Sequence, residues 1–311
     1  MVNTPLAPGA QAGRTFVITG ASGGLGLATA RPLVLAGARV VLAVRNVEAG
    51  RRAAATLART PESPVPRAPA PQAPIQAPEV RELDLASLAS IHRFADGWTG
   101  PIDVLVNNAG VANVPLGRTE DGFERQVGTN HLGHFALTNL LLPRLTDRVV
   151  TVASTAHRSA ELDLDDLNWT HRPYRPMAAY ARSKLANLLF TLELQRRLTA
   201  VGSPVRALAA HPGVAASDLN RNLGPAMALL DRTLGRLIRQ SSEAGAEPTL
   251  AAATSDLPGG SYLGPDGPRE QRGRPTLVGR SALASDPELA ARLWTLSTEL
   301  TAVDFTLPVA A

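Results

Sequence analysis

Two kinds of apolar pattern alternate along this chain. Short, nearly continuous apolar runs stand at 15–19, 39–44, 80–85, 102–106, 148–153 and 205–210. Longer segments between them carry Ala and Leu among Arg, Glu and Ser. A short run with no polar alternation predicts a strand covered on both faces, and the longer segments predict helices. These helices fall at about 24–36, 47–57, 87–99, 120–143, 178–200 and 287–301, with a helical patch near 226–240 and a last strand near 260–263. Pro32 lies inside the first helix, where a lost hydrogen bond predicts a kink. Strand–helix alternation throughout implies an α/β fold of one domain, a doubly wound parallel sheet with helices on both faces and right-handed crossovers.

Three stretches break the pattern. Residues 1–13 read as a flexible lead-in and 306–311 as a tail, around a domain at 14–305. Residues 60–78 hold seven prolines and almost no bulky apolar side chain, so they read as a disordered surface insertion. Residues 214–246 are polar and punctuated by Gly and Pro; following the last central strand, they read as a cover on the sheet's carboxyl edge that lines a substrate pocket.

Composition removes several classes of function. The chain has no cysteine, so thiolate chemistry, disulfides and Cys-based metal sites are excluded, and its six histidines lack metal-ligand spacing. No apolar run reaches a membrane span and no secretory leader is evident, which makes the cytoplasm the expected compartment. The net charge of +4 is spread among acids, a solvated surface and not a nucleic-acid footprint. Of 31 basic residues, 30 are arginine and one is lysine, Lys184. A GC-rich genome accounts for the arginines but not for the position that kept its amine.

The first strand ends in glycines at 20, 24 and 26, and a helix follows at once. Glycine lets the chain turn sharply and lets a ligand approach the backbone, and the helix presents free N–H groups and a positive dipole end to whatever sits in the turn. A pyrophosphate suits that place, although a tight strand-to-helix connection needs the same residues. Farther on, Tyr180 and Lys184 are four apart on the long helix and so share a face. An ammonium near a phenol lowers its pKa from about 10, which would fit Tyr180 for acid/base work. Ser154 ends a strand, where its hydroxyl could hold a carbonyl oxygen or merely cap its own turn. Asn130 falls in mid-helix, in a buried polar network or facing solvent. His131, His134 and His157 are treated as bystanders.

In this order and spacing, Thr19 to Gly26, Asp84 and Leu85, Asn107 to Gly110, Asn130, Ser154, Tyr180 with Lys184, and Pro212 with Gly213 resemble the short-chain dehydrogenase/reductase family, a Rossmann fold. The long interval from Ser154 to Tyr180 resembles the retinol-dehydrogenase and protochlorophyllide-reductase-like branch. The resemblance implies an EC 1.1.1.- oxidoreductase moving a hydride between a nicotinamide and a small-molecule alcohol or carbonyl. Tyr180 would be the acid/base, Ser154 would polarise the carbonyl, Lys184 would lower the Tyr180 pKa and bind the ribose, and Asn130 would hold a water linked to Lys184. Gly20, Ser22, Gly24, Leu25 and Gly26 would cradle the cofactor, with Asp84, Leu85, Asn108, Ala109 and Gly110 along its adenosine and Pro212, Gly213 and Val214 beyond. After the second strand stand Arg45 and Asn46 with no acid, which predicts NADP(H) over NAD(H). Ala and Leu in the 214–246 region, with Met227, suggest an apolar or bulky substrate. Helical patches elsewhere could form the face of a homodimer or homotetramer. The alternative is a non-catalytic NADP(H)-binding regulatory or scaffold protein of the same fold. A sugar-nucleotide epimerase fits less well, since residues 20–26 lack its usual glycine spacing.

Overall fold

The computed structural model describes residues 6–59, 76–214 and 240–307. Its elements in order are β1 (Thr15–Thr19), α1 (Gly24–Leu35), β2 (Arg39–Val44), α2 (Val47–Ala58), β3 (Glu79–Glu82), α3 (Leu88–Asp96) and β4 (Ile102–Asn107). Next come α4 (Arg125–Val127), a π turn (Gly128–Leu132), α5 (Gly133–Leu141), β5 (Leu145–Val152), α6 (Pro176–Ala200) and β6 (Arg206–Ala210). The chain closes with α7 (Ser242–Thr254), β7 (Tyr262–Pro265), β8 (Pro275–Leu277) and α8 (Pro287–Thr301). They build one eight-stranded sheet in the order β3-β2-β1-β4-β5-β6-β7-β8.

Alternating side chains on the strands divide the core into two layers. Val17, Val41, Leu105, Val149 and Ala207 join Ile91 and Phe94 of α3, Phe135 of α5, Phe190 of α6 and Trp294 of α8. Phe16, Ile18, Val40, Leu42, Val106, Val150 and Leu208 join Leu33 of α1, Leu57 of α2 and Leu250 of α7. Both faces are covered, as expected of strands with no polar alternation.

Several local readings are corrected. The sheet is not wholly parallel: β8 runs antiparallel along β7 and closes that edge. Its three residues stand among Gly, Pro and Arg, with no periodicity to announce a strand. The helix expected at 120–143 begins only at Arg125, where the Glu124 carboxylate accepts the N–H groups of Gln126 and Val127. It then widens into the π turn, closed by the Gly133 N–H on the Gly128 carbonyl. α1 runs on past Pro32, the position at which a kink is expected, as far as Leu35. Residues 8–13 are wound in turns, with Gln11 buried and its N–H on the Ala36 carbonyl at 2.9 Å. The bulk of the proline-rich insertion and the helical patch near 226–240 lie outside the described residues, while α7 occupies the end of the region read as a polar cover.

Candidate active site

Six consecutive strands deliver the candidate residues to one edge. In spatial order from β3 to β6, the residues just past the carboxyl ends are Asp84, Arg45, Gly20, Asn108, Ser154 and His211. Between β1 and β4 the strand order reverses, the position at which open α/β sheets bind ligands.

The glycines at this switch point have different reasons to be glycine. Gly20 has φ +68, and a Cβ there would lie 2.9 Å from Ala109. Gly26 lets α1 press on the loop after β4, because a Cβ would come within 2.6 Å of Asn108 Nδ2. Gly24, with φ +53, faces open space. α1 starts without a side-chain cap, so its first N–H groups are free for an anion. Ser22 is exposed and Leu25 half-buried beside them. The Thr19 hydroxyl accepts both the Asn108 and Ala109 N–H groups at 2.9 Å, and Asn108 Nδ2 donates to the Thr19 carbonyl. An open turn, an uncapped helix and a fixed neighbouring loop fit a dinucleotide pyrophosphate.

Flanking residues differ in what they can offer. Arg45 is exposed and has no acidic partner among the described residues. Asn46 is occupied as the cap of α2, accepting the Ala49 N–H. The Asp84 carboxylate closes its own turn on the Ala86 N–H. Leu85 is 7% exposed and belongs to the core, so its side chain is not free to lie along an adenine. Pro212, Gly213 and Val214 follow His211, and Gly213 has φ +63 with its missing Cβ filled by the Gln271 carbonyl.

α6 brings the chemical groups together. Lys184 Nζ stands 5.9 Å from the Tyr180 ring centre, so the phenol and the amine share one face. The Ser154 side chain is near enough to the Tyr180 phenol to favour its ionised form, and its oxygen accepts the Ala156 N–H at 3.2 Å. Ser154 thus caps its own turn while its side chain lies beside the phenol. Asn130 sits in the π turn and is fully buried. Its amide pairs both ways with the backbone of Val111 and donates to Ser183 Oγ, which donates to the Tyr180 carbonyl. The bare Gly110 matters here: a Cβ would lie 3.1 Å from Asn130 Oδ1 and 3.6 Å from Lys184 Nζ.

Electrostatics correct one expectation. Burial pushes the Tyr180 phenol up, and the Ser154 side chain opposes it; Lys184 is not among the groups that move it. Burial also lowers the Lys184 amine to about 8, and Nζ is tied to the Val152 carbonyl at 2.9 Å. A desolvated amine directed at another acceptor does not by itself stabilise a phenolate. Tyr180 therefore keeps its proton near neutrality.

Three histidines treated as bystanders hold the site. His134 Nδ1 can only donate to the Asn130 carbonyl, at 3.0 Å, which leaves Nε2 to accept from Thr19. His157 Nδ1 donates to the Ser154 carbonyl at 2.7 Å. His131 Nε2 meets Ser297 Oγ, joining the π turn to α8. Sequence reasoning also missed Tyr174, whose hydroxyl donates to Glu124 and accepts from Gln126. Gln126 in turn accepts the Asn113 N–H and donates to the Pro176 carbonyl, fastening the loop after β4 to the start of α6.

A doubly wound sheet with these motifs along its carboxyl edge is that of a nucleotide-dependent oxidoreductase. The chain belongs to the short-chain dehydrogenase family, whose model matches residues 14–228, and that family binds a nicotinamide cofactor. It is 40% identical over 306 residues to retinol dehydrogenase 13 of Homo sapiens, covering 94% of this chain and 86% of that protein. It is 41% identical to polyprenol dehydrogenase of Mus musculus, covering 94% and 84%. Among solved structures it is similar to an uncharacterised protein from Mycobacterium paratuberculosis, 50% identical, with a TM-score of 0.79 over 97% of this chain and all of that one. A complex of RhlG with NADP from Pseudomonas aeruginosa, 24% identical with a TM-score of 0.62, covers 83% of this chain and 96% of that one and shares its fold. No described helix is long and apolar enough to cross a membrane.

Proposed function

We propose that this protein interconverts an apolar alcohol and its carbonyl compound with NADP(H), using Tyr180 as the acid/base. The observation that carries this reading is Lys184 Nζ 5.9 Å from the Tyr180 ring on one helical face, with Ser154 beside the phenol at the carboxyl edge of the sheet. When bound, the nicotinamide supplies or takes the hydride. Ser154 holds the carbonyl oxygen beside the Tyr180 hydroxyl, and a phenol that keeps its proton is set to donate it as negative charge develops there. Lys184 has donors beyond the one spent on Val152, and these would be available to the ribose hydroxyls of a bound cofactor. Asn130 and Ser183 keep α6 at a fixed distance from the loop after β4, so donor and acceptor stay aligned.

The relatives named for retinol and polyprenol dehydrogenation support the substrate class, since both are long isoprenoid alcohols. Arg45 supports NADP(H), because it stands exposed past β2 with no acid beside it. The test is a panel of retinoid, polyprenoid and short-chain carbonyls followed by NADPH absorbance, with Tyr180→Phe alongside. The variant should bind NADPH normally and turn over about 100-fold slower or worse. Wild-type turnover in Tyr180→Phe, or tight NADPH binding with no turnover across the panel, would reject the mechanism; the second result would favour a non-catalytic binding protein.

A further inference from the structure

Glu270 lies on the connection between β7 and β8, with its carboxylate divided between two partners. Oε2 accepts from His211 Nε2 at 3.1 Å, and Oε1 accepts from Arg158 at 2.8 Å. His211 is completely buried, and its Nδ1 accepts the Gly213 N–H at 3.2 Å. That bond leaves the proton on Nε2, so the tautomer that faces Glu270 is also the one that holds the backbone at Gly213. Arg158 belongs to the turn Thr155–Ser159, which Ser154 caps. Arg269 and Glu270 both have positive φ, 54° and 56°, a conformation that side-chain-bearing residues adopt only when their surroundings impose it. The next residue, Gln271, accepts the Val214 N–H through its carbonyl at 2.8 Å.

We propose that Glu270 is a positioning residue: one carboxylate clamps the wall formed by residues 212–214 to the turn that Ser154 caps, setting the gap that would receive the nicotinamide end of the cofactor. The clamp rests on the dehydrogenase reading given above. Its alternative is a rim ion pair with no bearing on the site, which the half-exposed Arg158 would suggest if His211 were not buried on the other oxygen.

The experiment compares wild type, Glu270→Gln and Arg158→Gln. Hydrogen exchange at the Gly213 and Val214 amides is read without cofactor, and the NADPH Kd is read by fluorescence titration. Glu270→Gln should speed exchange at both amides and raise the Kd by about tenfold, while the melting temperature moves little and kcat at saturating NADPH falls less than the Kd rises. Arg158→Gln should do the same by about threefold, and the double variant should be no worse than Glu270→Gln, because both substitutions act on one carboxylate. Should Glu270→Gln not fold, Arg158→Gln alone decides the matter. Wild-type exchange and wild-type Kd in the variant read would overturn the clamp. A wild-type protein that binds NADPH in no condition would overturn the dehydrogenase reading itself.

Discussion

Thr19 and His134, one at the end of β1 and the other on α5, meet at 2.9 Å between Oγ1 and Nε2. The contact joins the two halves of the site. On one side Thr19 gathers the N–H groups of Asn108 and Ala109; on the other His134 donates to the Asn130 carbonyl. Thr19, Asn130 and His134 are buried, and the Thr19 hydroxyl has the Val106 carbonyl at 3.3 Å as a second, longer acceptor. Removing the ring takes the nearer acceptor from the Thr19 hydroxyl, which keeps the Val106 carbonyl, and a side-chain donor from the Asn130 carbonyl, at about 1–3 kcal/mol in all. His134→Leu should therefore lose about 1–3 kcal/mol of unfolding free energy by urea titration. A loss below about 0.5 kcal/mol, the range of an indifferent surface change, would show that the link is incidental.

Buried histidines also set how stability responds to acid. Burial lowers His131 to about 3 and His134 to about 4, from an ordinary value of 6.5. Below pH 6.5 the unfolded chain takes protons that the folded one refuses. Their contribution is therefore complete above 6.5 and is lost as pH falls toward the folded values. Between pH 7 and pH 5 each should remove about 2 kcal/mol of unfolding free energy. His131→Gln, compared with wild type as the difference between the two pH values, should show a loss smaller by about that amount. Equal slopes would mean that His131 titrates normally.

The sequence announced β1 to β6 because unbroken apolar runs have few other solutions, and the placement of Gly20, Asn108, Ser154, Tyr180 and Lys184 along one edge followed from that alternation. Other features left no local mark. β8 is three residues long and is held by its pairing with β7, a long-range contact. The π turn depends on Asn130 being drawn to Val111 and His134 reaching back to its carbonyl, neither of which a helical period encodes. Glu270 became visible only when the turn beyond β7 met His211. The Tyr180 pKa was misjudged because charge proximity was weighed without the desolvation of both partners.

Lys184 is the chain's single lysine, and its environment explains why arginine would not serve. The side chain is 4% exposed, and Nζ shares the Val152 carbonyl with Asn187 Nδ2. A guanidinium is larger, planar and permanently charged, so it would either be buried without a matching acceptor or push α6 away from β5. Lys184→Arg should lower kcat by about 100-fold or more and weaken NADPH binding in the same titration. Retention of half the wild-type kcat would show that any cation suffices at this position.

The proposed preference for NADP(H) rests on Arg45. It follows β2 at the carboxyl edge, exposed, and the neighbouring Asn46 is spent on capping α2. A 2′-phosphate there would gain a charge-assisted contact worth about 1.5–3 kcal/mol, whereas a 2′-hydroxyl would gain little from the guanidinium. Arg45→Glu replaces that attraction with repulsion and supplies an acceptor for a ribose hydroxyl. NADPH should bind about 100-fold more weakly or worse, and NADH as well as before or better. The check is a parallel titration of both dinucleotides; NADPH affinity unchanged by the substitution would place the 2′-phosphate elsewhere and remove the ground for preferring NADP(H).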